Sequence, residues 1–198
     1  MSYLPMENNE LQLWTIQPLE FWRQAETKGV LRADGRRIAH TDFRPAYRWL
    51  MQKMTERLVN YDGNYPIWAW TEPKPDLRNR YHLERGTDGV RVHFRAPQSE
   101  VLLSDYDSWH MLLGSNPSLV PLSETEYDEF YADYDQARAA GEDMTTRNSH
   151  IVASWERILD LPTLRASTEW ASEQPYTQAT VGQVAMSQVV RVDYFTAR

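Results

Sequence analysis

Leu13-Trp14-Thr15-Ile16-Gln17-Pro18, running into Leu19–Lys28 and closing on Gly29-Val30-Leu31, reads as a short β-strand, an abrupt turn, an amphipathic helix and a glycine stop. Successive strand side chains point to opposite faces, so Thr15 and Gln17 share one side and Trp14 and Ile16 the other. That sets a hydroxyl and an amide where a buried strand end can meet a ligand.

Working outward, Arg32–Thr41 is charged and glycine-bearing and reads as a loop. Phe43, Ala46, Tyr47, Leu50, Met51, Met54 and Leu58 fall at helical spacing, with Thr41 or Asp42 as N-cap and Pro45 harmless in the first turn. Asp62-Gly63 marks a turn before a short apolar strand, Pro66–Trp70. Two prolines within Glu72–Arg78 exclude a regular element there. Gly89–Arg95 alternates Val90, Val92 and Phe94 against Arg91, His93 and Arg95, a strand with one wet face. Glu100–Leu103 reads as a further strand, and Ser104 as the cap of a short helix ending at Gly114.

Ser123-Glu124-Thr125-Glu126 has capping-box spacing and opens an acidic helix to about Ala140, stopped by Gly141. A second helix follows over Ser149–Leu159, closed by Pro162. Tyr176–Val184 and Val189–Phe195 read as terminal strands. This order predicts an α+β fold: a single domain over residues 1–198, a mixed or mostly antiparallel sheet with flanking helices, and a helical insertion at about 123–161.

A net charge of −7 argues against a general nucleic-acid binder whose affinity rests on neutralising phosphates. The absence of cysteine rules out disulfides and thiolate metal sites. No apolar run approaches the roughly 20 residues of a membrane helix, and the polar opening is unlike a signal peptide, so the expected setting is cytoplasmic. The five histidines never pair at metal-ligand spacing, and no glycine-rich phosphate loop or Gly-x-Ser-x-Gly elbow occurs; no metal is expected.

Polar clusters beside apolar strands are the remaining chemistry. They are Thr15 and Gln17 with Arg32; Trp68 and Trp70 with Asp76 and Arg78; and Ser104 and Asp105 with Trp109 and His110. Aromatic walls with an Arg and an Asp hold a planar ring and an anionic group. The same residues also suit plain structural work: Asp105 can bind backbone N–H groups at a helix start, and the tryptophans can fill a core. Gln178, beside Ala179 on a terminal strand, is a candidate for a buried, specifically bonded amide. The functional reading requires these groups to converge on one cleft.

The motifs at Leu13–Gln17, Tyr65–Trp70 through Arg78, Val101–His110, Ser154–Asp160 and Gln178–Thr180 resemble the bacterial and phage family known as domain of unknown function 3841. More distantly, the strand, turn, helix and Gly-x-Leu of the opening resemble the entry of ADP-ribosyltransferase folds. That likeness implies an NAD cofactor, with Thr15 and Gln17 on the nicotinamide side and Arg32 or Arg78 on a phosphate. It implies stacking by Trp68 or Trp70, further contacts from Asp105 and His110, and Gln178 at the catalytic position. Thr15 stands where such folds carry His or Arg, and Gln178 where they carry a glutamate. Two function classes follow: an ADP-ribosyltransferase-like protein binding a nicotinamide dinucleotide or related nucleotide, or a non-catalytic ligand- or protein-binding module of phage–bacterial conflict.

Overall fold

The computed structural model describes residues 9–35, 41–72, 82–113, 118–167 and 176–198. Its strands are β1 (Glu10–Pro18), β2 (Val30–Leu31), β3 (Ile67–Trp70), β4 (Asp88–Pro97), β5 (Leu102–Asp105), β6 (Thr177–Val181), β7 (Val184–Ala185) and β8 (Val189–Thr196). Its helices are α1 (Leu19–Lys28), α2 (Arg44–Arg57), α3 (Tyr106–Leu112), α4 (Glu124–Ala140), α5 (Thr145–Ser154) and α6 (Leu161–Ala166). One sheet has six strands in the order β5-β6-β3-β1-β4-β8, and β2 pairs with β7 in a small second sheet. β1 is antiparallel to β3 and to β4, as are β3 to β6 and β4 to β8. The fold is α+β with an antiparallel sheet, as the sequence predicts.

The chain divides into two compact units, residues 1–39, 48–103 and 178–198 in the first and 40–47 and 104–177 in the second. The expected insertion at 123–161 falls inside the second, which gathers α3 to α6.

In the first unit, alternation along β1 decides the packing. Leu11, Leu13 and Thr15 are buried while Gln12, Trp14 and Ile16 are half-buried. Leu11 and Leu13 join Ile67 and Ala69 of β3, Val90, Val92 and Phe94 of β4, and Ala179 and Val181 of β6 in one core. Trp22 and Ala25 of α1 close that core. Pro18 has no N–H to extend the ladder, so the chain turns into α1 at once. Gly29 ends the helix at φ +73°, a conformation that costs a residue with a Cβ.

In the second unit, Ser123 Oγ accepts from the Glu126 N–H (3.1 Å), the forward arm of the expected capping box. The return arm differs: Glu126 accepts from the Leu122 N–H (2.8 Å) and takes a two-pronged pair from Arg157. Burial pushes the Glu126 carboxyl up, but Arg157 and the Leu122 N–H more than offset it and hold the group below its ordinary value. Gly141 stops α4 at φ +72°.

Several boundaries depart from the sequence reading. The helix expected over Ser149–Leu159 starts earlier, as α5 over Thr145–Ser154, and continues as a 3-10 segment over Trp155–Leu159. Ser104 stays in β5 and Asp105 caps α3, because its carboxylate is the stronger acceptor for the Ser108 N–H (2.9 Å). Pro162 opens α6 instead of closing a helix; it sits in the first turn, where no N–H is needed, with Asp160 as cap. The strand expected over Tyr176–Val184 breaks at Gly182 into β6 and β7.

Leu13 has no exposed surface at the centre of this core. Leu13→Ala should therefore lower the unfolding free energy by about 3 kcal/mol in a denaturant titration.

Candidate functional site

Sheet register places side chains in rows. Trp70 faces Gln178 on one flank and Trp14 on the other, Trp14 faces His93, and His93 faces Arg191. Cross-strand partners share a face, so this row runs along the face opposite the core of Leu13 and Val92. Trp68, opposite Thr180, lies on that same face.

At one end of the row, Gln178 is 5 % exposed and its Nε2 donates to no described residue. A buried amide left in that state is a standing cost, because its water has been removed without a replacement acceptor. Trp70 is half-buried and meets the edge of His82 at 5.9 Å between ring centroids.

In the middle of the row, Trp14 stacks on His93 with centroids 4.6 Å apart and planes 7° from parallel. His93 Nε2 donates to Gln12 Oε1 (3.0 Å). Burial, with the cations of Arg95, Arg191 and Arg91 around it, pushes His93 below its ordinary range, while Asp193 opposes the shift. At the far end Arg91 pairs with Asp193 (2.8 Å), which Arg191 also contacts (2.7 Å). Burial raises the Asp193 carboxyl, and the two arginines outweigh it to a net lowering.

Thr15 and Gln17 project from β1 with the opposite parity, on the core side. Thr15 Oγ1 donates to the Trp68 carbonyl (2.7 Å) and accepts from Gln17 Nε2 (3.0 Å). These two groups thus clasp β1 to the β3 backbone, and the sheet stands between them and the side chains of Trp68, Trp70 and Gln178. The expected convergence on one cleft does not occur for these five residues, since parity along a strand fixes the face.

Arg32 is turned to Gln183 Oε1 (2.7 Å) and Asp62 (3.3 Å), not to Thr15 or Gln17. Asp105 and His110 belong to the second unit. There Asp105 is the buried cap of α3, and exposed His110 donates from Nδ1 to the Tyr106 carbonyl (2.8 Å). Trp109 is buried and meets Tyr47 edge-on at 5.5 Å. Asp76 and Arg78 lie outside the described residues. Among the described residues no group of three or more His, Asp or Glu side chains could hold a metal ion, and no helix is long and apolar enough to cross a membrane.

The sequence does not mark Trp14 and His93 as neighbours. Each carries the signal of strand alternation, but their meeting depends on the register of Leu13 opposite Phe94, which no local pattern encodes.

Two outcomes follow from this geometry. Thr15→Val keeps the shape but strips the Trp68 carbonyl of that donor, and should cost about 1–3 kcal/mol in equilibrium unfolding. Because folded His93 titrates below its ordinary value, the unfolded chain takes up the proton first on acidification. Above about pH 6.5 neither state is protonated and His93 adds no slope. Below it, stability should fall as pH drops toward the folded pKa, and His93→Gln should flatten that part of a plot of Tm against pH.

The model of one family, a domain of unknown function (DUF3841), matches residues 12–190, from within β1 into β8. No curated protein matches the chain, and no solved structure does. Among the described residues the matched span takes in every helix and the whole aromatic row from Gln178 to His93, and the chain belongs to the DUF3841 family.

Proposed function

We propose that the sheet face carrying Gln178, Trp70 and Trp68 binds a nicotinamide dinucleotide (NAD) or a related nucleotide. One observation carries the reading: Gln178 keeps a buried amide donor with no partner among the described residues, one strand away from a half-buried indole. A carboxamide oxygen or a ribose hydroxyl would accept from that amide, and the indoles offer flat apolar area for a ring. Thr15 and Gln17 contribute from behind by fixing the β3 backbone. A phosphate at Arg32 would displace Asp62 from an exposed pair of little worth.

The carboxamide also limits the chemistry. Gln178 can orient a ribose but cannot accept a proton or oppose a growing positive charge with a full negative one. The reading is therefore recognition and orientation of the nucleotide. The same carboxamide favours a second reading, a non-catalytic binding module of phage–bacterial conflict. A chain without cysteine fits a cytoplasmic setting for either.

Millimolar NAD should raise the Tm of the protein, and Gln178→Ala should abolish the rise. A ligand at a hundredfold excess over its Kd adds about 2.7 kcal/mol of stability. Without ligand, Gln178→Met removes the unpaired donor at similar volume and should raise Tm by about 2–4 °C, the mark of a group kept at a cost to the fold. Parallel assay of nicotinamide release separates binding from turnover. A wild-type Tm indifferent to NAD and to other nucleotides overturns the proposal.

A further inference from the structure

We infer, on the basis of the nucleotide reading above, that His82 and Gln178 together select a primary carboxamide. The nicotinamide form of a dinucleotide then binds, and its carboxylic acid counterpart is excluded. His82 meets the edge of Trp70, whose cross-strand partner is Gln178. Next to it Leu83 covers Gly89, where a Cβ would run into the leucine side chain. Gly89 has the parity of Arg91 and His93 along β4, so residues 82–83 lie over the face that carries the aromatic row.

Trp70 is flanked by two idle polar groups. Gln178 Nε2 is a buried donor, and half-buried His82 has no hydrogen-bond partner for either ring nitrogen among the described residues. Burial holds the imidazole below its ordinary value. Near neutral pH the ring is therefore uncharged, and one of its nitrogens accepts a hydrogen bond. A donor on one side and an acceptor on the other suit a primary carboxamide. Its carbonyl takes the Gln178 N–H, its NH2 donates to His82, and the indole of Trp70 supplies an apolar wall. A carboxylate has no N–H to give. The imidazole can turn its own N–H toward it, but a full negative charge then sits half-buried beside indoles, with an uncharged ring as its partner.

Titration of the full chain with NAD and with nicotinic acid adenine dinucleotide, followed by indole fluorescence, tests this. The wild type should bind NAD at least about tenfold more tightly, the worth of one buried hydrogen bond left unmade. His82→Phe keeps a ring against Trp70 but removes the acceptor, and should weaken NAD by about tenfold. His82→Gln keeps an acceptor and should retain the preference. His82→Lys places a cation there and should reverse the order, favouring the acid. Equal wild-type affinities for the two dinucleotides overturn the carboxamide proposal and leave nucleotide binding standing; that comparison decides even where a substitution disturbs the fold. A preference for NAD that survives both His82→Phe and His82→Lys overturns it as well. Failure of both dinucleotides to bind removes the nucleotide reading, and the carboxamide proposal with it.

Discussion

The ladder between β1 and β4 runs the full length of β1, from Glu10 opposite Pro97 to Pro18 opposite Gly89. Once that register is set, the fate of every side chain on both strands is decided, because a slip of one residue would exchange the faces. Leu11 and Leu13 then meet Phe94 and Val92 over α1, and Trp14 has no place to go but against His93. β3 and β8 inherit their faces from these two strands, and β6 inherits its face from β3. The hydrophobic content of one face and the polar row of the other are thus two results of a single pairing.

The two faces are built differently. On the core face Thr15 is satisfied by the Trp68 carbonyl and Gln17, while the indole N–H of Trp22 has no partner among the described residues. The opposite face mixes indoles, an imidazole, an amide and an ion pair, and at Gln178 leaves a buried donor idle. Evolution commonly removes such a group when it serves no purpose, since an apolar residue of like size avoids the desolvation cost. Its retention beside Trp70 is what draws attention to that end of the sheet.

Much of this architecture was legible in the chain because its signals are local. The alternation through Trp14 and Gln17, the glycines at 29 and 141 and the Ser123 cap each act over a few residues, and each element formed where they pointed. Choices between adjacent candidates were not legible: Asp105 displaced Ser104 as cap, and Pro162 began a helix it was expected to end. Partnerships across the sheet were further out of reach. Nothing near Arg32 announces Gln183, and nothing near Trp14 announces Trp70, because those meetings depend on how separate strands are aligned. The site suffered most, since grouping Thr15 with Gln178 required knowing a parity that only pairing with β3 and β6 reveals.

The first unit is assembled from three stretches of chain, and the whole of residues 104–177 is threaded between its second and third. During synthesis β1 and β4 can zip early, but β3 lacks its outer neighbour and β4 its flanking strand until β6 and β8 emerge. Non-local closure of this kind is slow, and it leaves unsatisfied strand borders waiting while the intervening helices are made. Until the ribosome reaches Gln178, β3 therefore keeps one border without its strand.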